Sequence, residues 1–299
     1  MTSFTLPTLF VLGAPRSGTS ALYKALCLHP DAAWLSNWER RAPSVSALAV
    51  IDRLAGAAPR WRRRVWFGAD GASAYAYGRA RGAFDRVFPQ PVEGEPVFAA
   101  AGVPAVADTA VATPRQLRLR RDLARRQRYG GGRVFVSKRI AHNTRIPLLR
   151  AIFPEGRFVV ITRDGRAVAS SLSRVDWWEE SPLWWYDGSP QSWRDSGGDP
   201  MELCARAWVE EVAAIERGLS EVPEEQVLRL TYEDLVRAPE TILRQIADFS
   251  GLGRSPRWDE ALARVRFPDQ NDAWRGRLGD AIALVERVQG HQLRRLGYL

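Results

Sequence analysis

A glycine-rich stretch at residues 13–20 has the residue types and spacing of an anion-binding loop. It reads G-A-P-R-S-G-T-S, with Gly13 and Gly18 spaced as in the phosphate-binding pattern G-x-x-x-x-G-K-[ST]. Such a loop turns backbone N–H groups toward an anion, and the following helix adds the positive end of its dipole. An ordinary glycine–proline turn before a helix is the alternative interpretation.

The loop departs from the pattern at one informative position. Thr19 stands where the pattern has a lysine, which in nucleoside triphosphatases contacts the terminal phosphates. The loop instead contains a cation earlier, at Arg16. The sequence therefore predicts a nucleotide with a 5′ anion, bound without a triphosphate and without a required metal ion, and it disfavours hydrolysis of ATP or GTP.

A second strand-to-helix junction, at residues 157–171, has a further pair of anion-binding side chains. Arg163 follows the apolar run R-F-V-V-I-T, and Ser171 lies eight residues later, about two helical turns away. An arginine and a hydroxyl so placed could bind a second phosphate. Arg163 could instead pair with Asp164, but two strand-end anion sites on one sheet favour the phosphate interpretation.

The two motifs together, at residues 15–20 and 163–171, resemble the sulfotransferases that use 3′-phosphoadenosine 5′-phosphosulfate. The resemblance implies that Arg163 and Ser171 hold the 3′-phosphate. It implies a 5′-phosphosulfate site formed by Arg16, Ser17, Gly18, Thr19 and Ser20. The segment L-R-L-T-Y-E-D-L is similar to a late strand of the family and implies Tyr232 near the cofactor, and A-W-R-G-R-L, a weaker match, implies Arg275 near the 3′-phosphate or adenine.

The resemblance covers residues 9–43, 133–175 and 227–251. The R-S-G-T-S loop, the H-P-D after the first helix and the R-D-G-R-A block are nearest to the tyrosylprotein branch and to related bacterial enzymes. The implied reaction moves a sulfuryl group to an acceptor hydroxyl, leaves 3′,5′-adenosine bisphosphate and needs no metal. The resemblance does not imply that a protein tyrosine is the acceptor, as it is in that branch.

Two cations are candidates for stabilising the charge that develops during transfer. Lys138 ends the predicted strand 133–138, at the sheet edge where ligands of open α/β sheets bind, and the resemblance places a catalytic lysine there. Arg16 in the loop suits the same role. A surface lysine is the alternative for Lys138.

For the general base there are two candidates, of which the sequence favours Glu39. It follows the first helix, as the glutamate base does in the tyrosylprotein branch, and Arg40 and Arg41 would keep it ionised. An exposed, ion-paired glutamate is the alternative. His142 follows Lys138 by four residues, and an imidazole titrates near neutrality, although a lone histidine is often structural.

Alternating strand and helix patterns predict the fold class, an α/β, P-loop-containing, doubly wound sheet of mainly parallel strands with helices on both faces. The expected strands are 9–12, 133–138, 157–162 and 227–232, and the expected helices are 19–28, 115–128, 146–153, 167–172 and 239–249. We expect one sulfotransferase domain over residues 1–299, with a helical or loop insertion at about 43–130 and an aromatic-rich loop at about 175–200.

The aromatic-rich loop contains six large rings that do not form a regular core stripe: Trp177, Trp178, Trp184, Trp185, Tyr186 and Trp193. They could line an acceptor pocket or a lid, or they could simply pack the loop. The acceptor hydroxyl could belong to a small molecule, a glycan, a lipid or a peptide, and the sequence does not determine the oligomeric state.

The composition gives information on the partner, on membrane insertion and on the cellular location. The chain of 299 residues has a formal charge of +9, and Lys24 and Lys138 are its two lysines, so 41 of its 43 lysine and arginine residues are arginines. A net positive charge is typical of a protein that binds an anionic partner. No apolar run approaches the roughly 20 residues of a membrane helix. Two cysteines cannot build a disulfide framework, and no signal peptide is evident, so we expect a cytoplasmic location.

Two other function classes compete with the sulfotransferase interpretation. A nucleotide kinase or hydrolase with a degenerate loop is disfavoured by the missing lysine and by the lack of an evident magnesium-binding acid at a strand end. A nucleic-acid-binding protein would rest on the charge and on the arginine runs at 60–64 and 115–128. Such runs are usually solvated helix faces, and no nucleic-acid module accompanies them, so no nucleic-acid partner is predicted.

Overall fold

A parallel sheet forms the centre of the fold. The computed structural model describes residues 6–68, 71 and 82–299. Its five strands have the order β2-β3-β1-β4-β5, and every neighbouring pair is parallel. The strands are β1 Thr8–Leu12, β2 Ala32–Ala33, β3 Val134–Lys138, β4 Arg157–Thr162 and β5 Val227–Thr231. The predicted α/β fold with a parallel sheet is confirmed.

Both faces of the sheet are covered, which explains why its central strand is apolar throughout. All five residues of β1 are buried. Because successive side chains point to opposite faces, Leu9 and Val11 belong to one buried cluster, and Phe10 and Leu12 belong to another. Helices pack on each of these faces, as expected for a doubly wound sheet.

The helices in the described part of the chain lie between and after the strands. They are α1 Thr19–Cys27, α2 Asn37–Arg41, α3 Asp52–Ala57, α4 Pro59–Phe67, α5 Ala83–Val87, α6 Glu95–Ala100, α7 Pro114–Gly130, α8 Ile146–Ile152, α9 Gly165–Leu172, α10 Pro190–Asp195, α11 Pro200–Leu219, α12 Tyr232–Arg237, α13 Pro239–Ser250, α14 Pro256–Leu262, α15 Ala273–Leu278 and α16 Ile282–Arg295. Pro239 takes the first-turn position, as predicted.

Two helix starts differ from the sequence expectation, and side-chain caps explain both. Helix α9 begins at Gly165, two residues early, because the Asp164 carboxylate accepts a hydrogen bond from the backbone N–H of Arg166. Tyr232 is the first residue of α12 and not the last of a strand, because Thr231 caps that helix through the N–H of Asp234.

In the segment from 43 to 130, the described residues form helices and irregular connections. Its arginine-dense helix is α7, which starts in a capping box of Thr113 and Gln116. Residues 69–70 and 72–81, which also fall in the expected insertion, lie outside the described residues. In the described part of the chain, no helix has the length and apolar character needed to cross a membrane.

Candidate active site

The loop at residues 13–20 connects β1 to α1 in a conformation that requires its glycines. Gly18, the N-cap of α1, has a φ of 86°, and a Cβ there would lie 2.4 Å from the Tyr232 ring. A Cβ on Gly13 would lie 2.5 Å from the carbonyl oxygen of Ile161. Arg16 has a positive φ of 69°, which is uncommon for a side-chain-bearing residue. The backbone is therefore specialised for a tight turn at the end of β1.

The start of α1 has unmet hydrogen-bonding capacity that suits an anion. The described residues supply no side-chain cap at this N-terminus. The hydroxyl of Ser17 is fully buried, and within the described chain its oxygen has no hydrogen-bond partner. Buried polar atoms normally have partners, so an orphaned hydroxyl beside an uncapped helix start fits a bound oxyanion.

The second predicted anion site lies next to this loop. The Arg163 guanidinium donates to the carbonyl oxygens of Arg16 and Gln270, both at 3.1 Å, and lies 4.4 Å from the centroid of the Tyr232 ring. Arg16 Nε donates to Ser171 Oγ at 2.9 Å. The structure thus brings together four side chains that the sequence placed near one ligand. Burial lowers the pKa of Arg163, which nevertheless stays protonated at neutral pH.

Lys138 supplies the loop with an ammonium group from the neighbouring strand. Residue 138 pairs with Val11 in the register of β3 and β1, so its side chain starts beside the loop. Its Nζ donates to Ser20 Oγ at 3.2 Å and to Glu93 Oε1 at 2.6 Å. Lys24, by contrast, is buried against the carbonyl oxygen of Trp66. Lys138 therefore places an ammonium group next to the loop, which has Thr19 at the lysine position of the phosphate-binding pattern.

Glu93 is a residue of the site that the sequence did not reveal. Its second carboxylate oxygen accepts a hydrogen bond from Arg139 at 2.6 Å, and its side chain is 21% exposed. Burial alone would raise the pKa of Glu93, but Lys138 and Arg139 outweigh burial and lower it. Glu93 lies 45 residues before Lys138 in the chain, in the stretch V-E-G-E-P that has no motif, so no sequence signal pointed to it.

Glu39, the base candidate that the sequence favoured, is buried, and both of its carboxylate oxygens accept hydrogen bonds within the fold. Its side chain is 0% exposed. One oxygen accepts from both the N–H and the hydroxyl of Ser36, at 2.8 and 3.0 Å, forming the capping box of α2. The other accepts from Arg126 at 3.0 Å. The alternative of an exposed glutamate is wrong, and the arginine that pairs with Glu39 is Arg126 and not the neighbouring Arg40 or Arg41, because the capping box at the start of α2 turns the carboxylate inward.

His142, the second base candidate, is also fully buried. Its Nδ1 accepts hydrogen bonds from Arg145, with 3.2 Å to Nε, so the ring proton lies on Nε2, which is 2.9 Å from Ser137 Oγ. Burial, followed by the positive charge of Arg145, lowers the pKa of His142 well below its usual value. The ring packs edge-on against Phe10 and Phe98, so the structure does not bring it into contact with the loop.

The neutral state of His142 predicts a specific pH dependence of stability. The folded protein protonates this ring only at lower pH than the unfolded chain, in which a histidine titrates near pH 6.5, so stability falls as the pH drops below that value. Lowering the pH from about 7.5 to about 5.5 should reduce the free energy of unfolding, and the part due to this residue is at most about 1.4 kcal/mol. His142→Gln keeps one donor and one acceptor, so its free energy of unfolding in urea should lose that part of the pH dependence. An unchanged dependence would mean that His142 is charged in the fold.

Arg275, the weakest of the predicted cofactor contacts, is on the surface. It belongs to α15, its side chain is 64% exposed, and its Nε donates to Asp272 at 3.1 Å. Its guanidinium lies 4.6 Å from the centroid of the Trp274 ring. Helix α15 packs against α9, which carries Ser171. The structure thus places Arg275 on a helix adjoining the site, without a bond to the other predicted residues among its described contacts.

A cavity of about 660 Å³ is lined by Asp164, the residue that follows Arg163 in the chain. Its lining includes Asp164, Glu233, Asp269 and Asp272, with aromatic walls from Phe267, Trp274 and Tyr298. Arg237 also lines the cavity, so its walls carry both signs of charge. The described residues contain no group of three or more His, Cys, Asp or Glu side chains arranged to hold a metal ion.

The aromatic-rich segment combines packed and accessible rings. Trp178 is buried, whereas Trp177 is 37% exposed. Tyr186 and Trp193 pack edge-on with ring centroids 5.5 Å apart, and the Trp193 indole donates to the carbonyl oxygen of Asp199. Some rings of the segment therefore pack in a cluster shared with α9 and α11, and the segment still leaves aromatic surface accessible.

A doubly wound sheet with an anion-binding loop after β1 defines a P-loop-type α/β protein. The model of the sulfotransferase family matches residues 7–256, most of the chain. The chain therefore belongs to the sulfotransferase family and is a sulfotransferase that depends on 3′-phosphoadenosine 5′-phosphosulfate. No curated protein matches the sequence.

Two solved structures share the fold at low sequence identity. Sulfotransferase STF9 from Mycobacterium avium is 18% identical, with a TM-score of 0.61 over 98% of this chain and 77% of that one. Sulfotransferase STF1 from Mycobacterium tuberculosis H37Rv is 16% identical, with a TM-score of 0.53 over 93% of this chain and 77% of that one. At these identities the likeness establishes the common architecture.

Proposed function

We propose that this sulfotransferase moves the sulfuryl group to an acceptor hydroxyl at the junction of the loop, Lys138 and Glu93. The observation that carries the proposal is the position of Lys138 Nζ, 3.2 Å from Ser20 Oγ of the loop and 2.6 Å from the Glu93 carboxylate. When bound, 3′-phosphoadenosine 5′-phosphosulfate supplies the sulfuryl group. The anion site, a cation and an ionised carboxylate then meet at one strand end, as general acid–base transfer requires.

The donor nucleotide fits the two anion sites by their unmet hydrogen bonds. The 5′-phosphosulfate would be held by Arg16, Ser17, Gly18, Thr19 and Ser20. The 3′-phosphate would be held by Arg163 and Ser171, with Tyr232 and Arg275 as further contacts. The orphaned Ser17 hydroxyl and the Arg163 Nε, which has no partner among the described residues, support this assignment.

Lys138 and Arg16 would neutralise negative charge next to the loop. Both lie beside an uncapped helix start, where backbone N–H groups add to their effect. Lys138 is almost fully buried, so solvent screens its charge less than that of a surface lysine. A bound anion competes with Glu93 for the Lys138 ammonium, and each hydrogen bond that Lys138 transfers to the anion makes Glu93 more basic.

We propose Glu93 as the general base, in place of Glu39 and His142. The carboxylate of Glu93 accepts hydrogen bonds from Lys138 at Oε1 and from Arg139 at Oε2, and these two cations favour its ionised form beside the loop. Its partial exposure leaves it open to an acceptor. The other two candidates are fully buried with their acceptor atoms engaged.

The proposal also includes an acceptor with an apolar face, a cytoplasmic location and a relationship to the tyrosylprotein branch. The accessible rings of the aromatic-rich segment suit an acceptor with an apolar face, whether a phenol, a sugar, a lipid or a peptide. A cytoplasmic setting is consistent with the buried free thiols of Cys27 and Cys204. The loop and R-D-G-R-A motifs favour relatedness to the tyrosylprotein branch and to bacterial enzymes.

Thermal-shift titration tests the donor against the two competing function classes. The protein is titrated with 3′,5′-adenosine bisphosphate, with ATP plus magnesium, and with duplex DNA. The bisphosphate should raise the melting temperature markedly, and the other two should not, because the chain has sites for two separate anions and no lysine at the triphosphate position. Preferential stabilisation by ATP or by DNA would contradict the proposal.

A further inference from the structure

A buried chain of polar side chains connects the phosphate-binding loop to the aromatic-rich segment. Asn143 accepts a hydrogen bond from the N–H of Gly13 at 3.2 Å and donates to the Gly13 carbonyl at 3.0 Å. Asn143 also donates to Glu211 Oε2 at 2.6 Å, and the Trp184 indole donates to Glu211 Oε1 at 3.0 Å. Asn143 and Glu211 are both buried.

In this series of hydrogen bonds, the donors and acceptors of each side chain fit the partners that it contacts. An asparagine amide has an acceptor and two donor hydrogens, which Gly13 and Glu211 use completely. A carboxylate can accept at both oxygens, so Glu211 joins two donors that would not interact with each other. Burial raises the pKa of Glu211, and the hydrogen bonds from Asn143 and Trp184 oppose this effect. A buried carboxyl group is costly, so its retention here needs an explanation beyond packing.

Trp184 lies at the far end of this series of hydrogen bonds, in the aromatic-rich segment that could contact the acceptor. Asn143 lies five residues after Lys138, at the same carboxyl edge of the sheet as the loop. Only two side chains, Asn143 and Glu211, separate Trp184 from the first residue of the loop. Trp184 is half-buried, so part of its ring stays accessible.

We propose that Glu211 is a positioning residue that fixes Trp184 relative to the phosphate-binding loop, so that Trp184 determines acceptor specificity. The inference rests on the proposed function, because it assigns the acceptor to the side of the loop where Trp184 lies. An indole face held at a fixed place favours acceptors whose hydroxyl is carried on a flat ring over acceptors that are straight chains.

Three single variants test the proposal by separating acceptor binding from donor binding. Glu211→Gln leaves one of the two donors without an acceptor, and Trp184→Phe removes the indole N–H. Each should raise the KM for a ring-bearing acceptor such as naphthol about tenfold, with kcat and bisphosphate affinity near wild type, because Asn143 keeps its bonds to Gly13. Trp193→Phe, the matched control, removes an indole N–H that bonds to Asp199 and should leave KM unchanged.

A second measurement does not depend on the acceptor. In a ¹⁵N–¹H spectrum, the Trp184 indole resonance, assigned from its loss in Trp184→Phe, should shift when 3′,5′-adenosine bisphosphate saturates the protein, and the Trp193 resonance should not. In Glu211→Gln the shift should disappear. An unmoved Trp184 resonance at saturation, or an unchanged KM in the folded variants, would overturn the proposal. Absence of bisphosphate binding to the wild type would instead refute the proposed function.

Discussion

Replacing Glu93 with glutamine should lower kcat by about 10²- to 10⁴-fold, the usual contribution of a general base. The amide cannot take up the hydroxyl proton, whereas its size and its acceptor oxygen are retained. Binding of 3′,5′-adenosine bisphosphate should not weaken, because Glu93 has no assigned contact with the nucleotide and its carboxylate competes with the bound anion for Lys138. Steady-state kinetics and calorimetry on the same preparation separate the two effects.

Glu39→Gln is the matched control for this variant. It makes the same chemical change at a carboxylate that pairs with Arg126 inside the fold, so it should lower the free energy of unfolding by about 3 kcal/mol while turnover per folded molecule persists. If Glu39→Gln loses turnover and Glu93→Gln keeps it, the assignment of the base is wrong.

The acid limb of the wild-type rate gives a further check on Glu93. Lys138 and Arg139 lower the pKa of Glu93, so the carboxylate is ionised throughout the neutral range. The rate should therefore stay constant on the acid side until the pH falls to about 4.3, the ordinary glutamate pKa, or below. This profile should be absent from the residual activity of Glu93→Gln.

Lys138→Met should lower kcat by about 10²- to 10³-fold, as expected when a group that stabilises developing charge is removed. Methionine keeps most of the side-chain length and its apolar contacts, so the loss reports the ammonium group. The double variant with Glu93→Gln should lose less than the product of the two single effects, since the two side chains are in direct contact. A nearly wild-type kcat in Lys138→Met would exclude it from the transfer step.

Local sequence signals predicted four of the five strands and the position of the glycine-rich loop, whereas the two-residue strand β2 was not predicted. Strands such as β1 and β4 are short apolar runs ending at glycine or at a charged residue, and the glycine spacing at 13–20 is itself a local property of the backbone. Arg163 and Ser171 were predictable for the same reason, because a strand end and two helical turns fix their separation.

The carboxylate that we propose as the general base was not predictable, because its position depends on contacts between distant segments. Glu93 reaches Lys138 from a region without a motif, across 45 residues of chain. Glu39 had the better sequence argument, but its capping box with Ser36 and its ion pair with Arg126, 87 residues away, bury it. The link between Asn143 and Glu211 is likewise a tertiary contact, over 68 residues.

The structure also explains why so much positive charge need not mean nucleic-acid binding. Several arginines are buried and paired with carboxylates inside the fold. Arg126 pairs with Glu39, Arg145 with Glu95, and Arg166 with both Asp164 and Glu286. These residues use the fork geometry of the guanidinium group for packing and structure.

We infer that Arg163 binds the 3′-phosphate of the donor nucleotide. The affinities of two ligands, one with and one without a 3′-phosphate, test this inference. Calorimetry measures the affinities of 3′,5′-adenosine bisphosphate and of 5′-adenosine monophosphate for the wild type and for Arg163→Ala. The bisphosphate should bind the variant about 10- to 150-fold more weakly, the value of hydrogen bonds to a charged group. The monophosphate, which lacks the 3′-phosphate, should bind both proteins equally. Equal losses for the two ligands, or no loss for either, would contradict the account.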